Sequence, residues 1–225
     1  MDIGKSFTFV FEDQEWLNKI LIGAAILFVG SLFFWLLFIP LIVAGALLNG
    51  YMIEIIRRVA DGRADVLPEW GDWGDMIIDG LKLLVLQIVY SLPAIVLGLC
   101  MIIPLIAAGE NAEVVGWVLG LGLGCLIVLW AIVVTIVLPA VTAVFAVTRD
   151  LTSAFQLGKI FTLIRDNLST YLITLVMSWV ASFIGSLGGS VCGLGTFFTV
   201  PYAYMVTGHL YGQAYAASVD SGSDQ

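Results

Sequence analysis

The one histidine of the sequence, His209, lies in an uncharged run from Asn167 to Val219. At ~100° per residue on a helix, Tyr202, His209 and Gln213 project from one side. Tyr204, Gly208, Tyr211, Gly212 and Tyr215 project from the other. A phenol, an imidazole and a carboxamide in line have the chemistry of a proton relay or a small-solute path. Polar groups inside a membrane are costly and face the bundle interior or a water-filled cavity, so two readings stand. The stripe lines a path, or it makes an interhelical hydrogen bond that fixes packing, with Asn49 or Gln87 as partner. A second group is Tyr51, Glu54 and Arg58, which share a helical face, with Arg57 beside them. Glu54 reaches the arginines at i, i+3 and i, i+4, the spacing of a local ion pair; the same face also reads as a site for a lipid headgroup.

Little else suggests reaction chemistry. One histidine and three dispersed cysteines make no typical zinc site, so neither a metal nor a cofactor is expected. The run Gly116–Gly124 lacks the Lys-Ser/Thr ending of a phosphate loop. The serines have no His–acid pair in the same layer, and the chain is not expected to be an enzyme. Cys100, Cys125 and Cys192 sit in or beside apolar runs, where buried thiols are expected; Cys100 and Cys192 both fall toward one side, which leaves a bridge open.

The elements that position these groups follow from composition. Of 225 residues, 60% are hydrophobic and 12% charged, against ~25% charged in soluble domains. Half the usual charge cannot solvate a globule of this size. A net charge of −8 with no basic stripe argues against nucleic acid as a partner. The sequence is therefore expected to be an integral membrane protein, all-α, with membrane lipids as its first partners. The uncharged runs are Ile20–Ile53, Leu83–Gly109, Val114–Thr148 and Asn167–Val219. The first is too long for one crossing of a ~30 Å hydrocarbon core, and Pro40 divides it into Leu21–Ile39 and Leu41–Arg58. The last is divided by the glycine cluster Gly185–Gly195 into Leu168–Gly185 and Thr196–Ala217. Single passes are Leu83–Pro104 and Val115–Val147, the latter bent at Pro139. The result is a six-helix transmembrane bundle over residues 1–219, with a polar tail at 220–225.

Six passes put all nine basic residues, Lys5, Lys19, Arg57, Arg58, Arg63, Lys82, Arg149, Lys159 and Arg165, on one side. The opposite loops carry only Glu110 and Glu113. This asymmetry places both termini in the cytoplasm of a cell-membrane protein.

Three features concern packing. Gly116, Gly120 and Gly124, and Gly208 and Gly212, have the four-residue spacing that lets helix backbones approach closely, within one chain or between copies in a homo-oligomer. The loop from Leu67 to Asp75 is stiffened by Pro68, and Trp70 and Trp73 suit a membrane–water boundary; it reads as an anchored turn, or as an acidic docking site. Gly-Lys-x-Phe-Thr occurs at Gly4–Thr8 and again at Gly158–Thr162, each copy preceding a pass. With a fainter copy at Asp79–Lys82, this divides the chain into three units, 1–60, 75–150 and 151–219, each a short cytoplasmic amphipathic helix plus a membrane hairpin. In the first, Ile3, Phe7, Val10 and Phe11 form the apolar face.

Taken together, Trp16-Leu17-x-Lys19-Ile20, Gly50-Tyr51 before Arg57-Arg58, Leu67-Pro68-Glu69-Trp70, Asp79-Gly80-Leu81-Lys82 and Tyr90-x-x-Pro93 resemble an archaeal and bacterial membrane family known as domain of unknown function 4013. Relatives often carry Asp-Pro before the tryptophan; here Asp13-Gln14-Glu15 stands instead. The resemblance implies a multipass membrane protein and brings no activity. The expected role is a non-enzymatic membrane component that organises lipid or partner proteins. The alternative is a small-solute or ion transporter lined by Tyr202, His209, Gln213, Asn49 and Gln87.

Overall fold

The computed structural model describes residues 1–33, 36, 38–109, 112–190 and 193–223. Among them are eight α-helices and no strand: α1 (Ile3–Glu12), α2 (Trp16–Leu32), α3 (Ile39–Ala60), α4 (Trp73–Ala107), α5 (Ala112–Thr148), α6 (Leu157–Asp166), α7 (Leu168–Leu187) and α8 (Thr196–Ser223). Two compact units result, one of residues 1–84 and 140–225, the other of residues 85–139.

Local chemistry sets the ends of the helices in the first unit. Asp2 caps α1 by accepting the Lys5 N–H at 2.9 Å, which satisfies one of the orphan donors of the first turn. Between α1 and α2 the chain bends by 93°. No proline enforces that bend. Instead Asp13 Oδ1 accepts the Glu15 N–H at 2.7 Å, an Asx-type turn that diverts the backbone from helix. Helix α3 has Pro40 in its first turn, where the missing N–H costs nothing, and Arg57 and Arg58 in its last turn, where cations meet the negative end of the dipole.

Six helices occupy the places of the six expected passes, but not all have the makings of one. Among the described residues, four helices are long and apolar enough to cross a membrane: Ile39–Ala60, Trp73–Ala107, Ala112–Thr148 and Leu168–Ser190 with its terminal 3-10 turn. The count becomes five if the bent pair α1 and α2 forms one broken span. Helix α2 has 17 residues, about 25 Å at ~1.5 Å per residue, short of a ~30 Å core. Helix α8 is diluted by four tyrosines, His209 and Gln213. It is the internal helix of the first unit, packed against α7, α3, α2, α1 and α6. The lead-in expected at Asp79–Lys82 is not a separate helix, because α4 runs without a break from Trp73.

The core of the first unit gathers Phe9 and Val10 of α1, Ile20 of α2, Leu47, Tyr51 and Ile55 of α3, Leu67, Met76 and Met205. Helix α1 faces this core with Ser6, Phe9 and Val10, while Phe11 is 53% exposed. The apolar face expected from Ile3, Phe7, Val10 and Phe11 is thus rotated, because Ser6 has a polar partner in the interior.

The second unit is the distal part of α4 and α5, with Pro93, Pro104 and Pro139 inside the helices. Its apolar side chains are largely exposed, Ile106, Trp117, Val118 and Leu121 among them, and the Trp130 indole N–H donates to the Tyr90 carbonyl at 2.9 Å.

Candidate functional site

The polar face of α8 is covered by α1. Asp2 N–H donates to Gln213 Oε1 at 2.9 Å, and Gln213 Nε2 donates to the Asp2 carbonyl at 3.2 Å. That pairing orients the amide, so its NH2 group also faces His209 Nδ1 at 3.2 Å. An NH2 group only donates, so Nδ1 accepts and the ring proton sits on Nε2. Ser6 Oγ lies 2.9 Å from the same Nδ1. Phe9 stacks on the imidazole at 4.4 Å between centroids. Tyr202 O–H donates to the Phe7 carbonyl at 2.7 Å. Every member of the stripe is therefore engaged by α1 and its cap, where Asn49 or Gln87 was the expected partner. Asn49 is buried on α3, and Gln87 lies half-buried in the second unit.

Tyr51 does not open onto a headgroup site. It is 1% exposed, its O–H donates to the Pro68 carbonyl at 2.8 Å, and its ring stacks on Trp70 at 4.1 Å. The Trp70 N–H in turn donates to the Lys19 carbonyl at 3.0 Å. Lys19 itself is buried, with Nζ 2.8 Å from Asp13 and 2.7 Å from Glu69. This knot ties the start of α2 to the loop after α3. Trp73 stays outside, its N–H on the Trp70 carbonyl. The motif residues Lys19, Tyr51, Pro68, Glu69 and Trp70 thus meet at one place.

Beside the knot is a polar cleft of about 310 Å3. One wall comes from α3 and the residue after α5. There Glu54 lies 3.0 Å from Arg57, 3.2 Å from Arg58 and 4.0 Å from Arg149. The other wall comes from the loop and α4, with Glu69, Asp72, Asp75 and Asp79. Buried Asp79 is held by Arg149 at 3.3 Å and Lys82 at 3.2 Å. Arg149 reaches across from a left-handed backbone, φ 54°, a conformation a non-glycine residue adopts at some cost. In the loop after α3, Arg63 hydrogen-bonds Asp65 at 2.7 Å; that bond holds the Asp65 carboxyl below its ordinary range.

The close approaches are made by glycines. A Cβ at Gly50 would strike the Met76 carbonyl, and one at Gly80 the Ala46 carbonyl, so α3 and α4 cross backbone to backbone. Gly208 and Gly212 face α3; a Cβ there would lie 3.1 Å from the Met52 oxygen and 2.6 Å from the Val59 Cβ. Gly120 and Gly124, by contrast, face open space, and Gly116 meets only a Leu105 methyl. Of that triplet, only Gly116 approaches another helix of the chain among the described residues. Cys100 and Cys125, both in the second unit, are exposed free thiols rather than buried ones. Cys192 and Glu110 lie outside the described residues. No group of three or more metal-ligating side chains is present among the described residues.

An all-helical protein with several helices long and apolar enough to cross a membrane is what this architecture defines. The chain belongs to the family described as "Protein of unknown function (DUF4013)", whose model matches residues 19–194. No curated protein and no solved structure matches it.

Proposed function

We propose that this chain is a non-enzymatic component of the cell membrane that organises lipid or partner proteins, itself included. The observation that carries the reading is the closed face of α8. Tyr202, His209 and Gln213 spend their hydrogen bonds on α1, which leaves the stripe serving as packing rather than as a path. The exposed apolar surface of the second unit supports contact with lipid or with another membrane protein.

In this reading α2 and α8 complete a bundle of six passes. Lys19 at the start of α2 is held at Glu69, while Gly30 near its end lies against Pro40 and Ala44, so α2 runs antiparallel to α3 through the same layer. All nine basic residues belong to the unit that holds the cleft; this supports a cytoplasmic charged end with both termini there. An internal repeat is supported by α1 and α6, ten residues each at an offset of 154. Thr8 and Thr162 make the same bond to the carbonyls of Gly4 and Gly158, at 3.2 and 2.7 Å.

The second reading, transport, draws on the same stripe, and requires α1 to leave it. The test is solvent access at position 209. In a chain lacking its native cysteines, His209→Cys reconstituted in liposomes is expected to stay unreactive to a membrane-impermeant thiol reagent until denatured. Reaction in the native state at the rate of an exposed thiol would overturn the packing reading in favour of a path.

A further inference from the structure

The charges of the polar cleft are sorted by wall. On the α3 wall and at Arg149, three cations, Arg57, Arg58 and Arg149, gather around the single carboxylate of Glu54, and Arg149 also reaches Asp79 on the facing wall. Counting both carboxylates, the three arginines keep an excess of one positive charge. Across the cleft, Asp72 and Asp75 are exposed and make no hydrogen bond or ion pair through their side chains among the described residues. The lining holds three arginines and five carboxylates, with Glu69 already held by Lys19, so the cleft is dipolar, arginines on one wall and free carboxylates on the other. Its volume of about 310 Å3 is at the lower end of the ~300–1,000 Å3 range of small-molecule sites.

Such a dipole discriminates by ligand charge. A plain anion meets the arginines but is repelled by Asp72 and Asp75; a plain cation meets the reverse. A molecule carrying both charges satisfies both walls. Arginine suits a phosphate, because its planar fork donates two parallel hydrogen bonds. Arg57, with Glu54 as its carboxylate partner and a partly exposed side chain, has donors to spare. Two carboxylates suit a primary ammonium, which donates three hydrogen bonds. A quaternary ammonium donates none and is held by aromatic cages. The rings of Tyr51 and Trp70 are stacked on each other and neither lines the cleft.

We propose that this cleft binds a zwitterion in which a phosphate is joined by a short chain to a primary amine, the chemistry of an ethanolamine phosphate headgroup, with the phosphate on Arg57 and Arg149 and the ammonium on Asp72 and Asp75. The proposal rests on the reading of this charged end as facing headgroups. The same chemistry has two sources, the headgroup of a membrane lipid and free phosphoethanolamine in solution.

The test uses the full chain in detergent micelles. Retention of phosphatidylethanolamine, phosphatidylcholine and phosphatidylglycerol is compared by native mass spectrometry, with Asp72→Asn/Asp75→Asn and Arg57→Gln as variants. The native chain is expected to retain phosphatidylethanolamine at least tenfold better than the other two. The double asparagine variant is expected to lose that preference and to gain phosphatidylglycerol; Arg57→Gln is expected to weaken both phospholipids. Asp72 and Asp75 hold nothing in place, so their variant should keep the native thermal midpoint, which confirms that it is folded. Free O-phosphoethanolamine separates the sources: displacement of the lipid at millimolar concentration assigns the site to the soluble zwitterion, and no displacement assigns it to the lipid. Equal retention of all three lipids by the native chain, or an unchanged preference in the asparagine variant, would overturn the proposal. Thiol reaction at position 209 would overturn the packing reading and leave this preference intact, so the two failures are distinguishable.

Discussion

Lys19 shows how a single side chain can fix the geometry of a site. Its stem is buried, and its ammonium serves two carboxylates and the Leu67 carbonyl. Replacing it with methionine keeps the volume and removes the donors. Hydrogen bonds to charged groups are each worth about 1.5–3 kcal/mol, and the two carboxylates left behind can recover hydration, so Lys19→Met is expected to cost a total in that range. Glu69→Gln should be close to neutral, because the Glu69 side chain is 72% exposed. Thermal unfolding in detergent, followed by tryptophan fluorescence, measures both. Asp65 gives a pH dependence of known sign. Arg63 holds its carboxyl below the ordinary value, so the contribution is complete above that value of ~3.9 and is lost as pH falls through the lower, folded pKa. Amide exchange of residues 61–66 should show an extra acceleration in that acid window, and Asp65→Asn should abolish the step. At this scale the sequence was informative about which side chains matter and poor at pairing them. Tyr202, His209 and Gln213 do share a face. Their partner was hidden because Ser6 and two carbonyls of α1 carry no sequence signal of their own.

Among the helices, glycine decides who touches whom. The spacing of Gly116, Gly120 and Gly124 looked like a packing seam, yet Gly120 and Gly124 face open space. The tightest crossing is at Gly50 and Gly80, which lie on different helices and have no shared spacing to reveal them. Their only trace was in the motif residues Gly50-Tyr51 and Asp79-Gly80. Gly50→Ala or Gly80→Ala must push α3 and α4 apart, a small-to-large change of the kind that costs about 1–3 kcal/mol or more. Gly120→Ala meets no atom and gains up to about 1 kcal/mol of helix propensity. Thermal midpoints of the three variants should therefore move in opposite directions. Helix ends were legible wherever turn chemistry announced them, as at Pro40 and the glycines before Thr196. The α1–α2 break was less so, because Asp13 replaces by a side-chain hydrogen bond what a proline would impose by its ring.

For the molecule as a whole, 60% hydrophobic residues pointed to a membrane protein, and the several helices long and apolar enough to cross a membrane are consistent with that. The number of crossings was harder to read. Hydropathy along the chain does not separate a helix buried among its neighbours from one bathed in lipid, and α8 is the former. We propose that the helices thread a membrane and gather the cationic groups at one end. Single cysteines at positions 63, 113 and 149, in a background free of native cysteines, test this in intact cells with a membrane-impermeant maleimide. The expected result is labelling at position 113 alone, with positions 63 and 149 reacting only after permeabilisation. Labelling of position 63 or 149 from outside, or a chain that remains in solution without detergent, would contradict it.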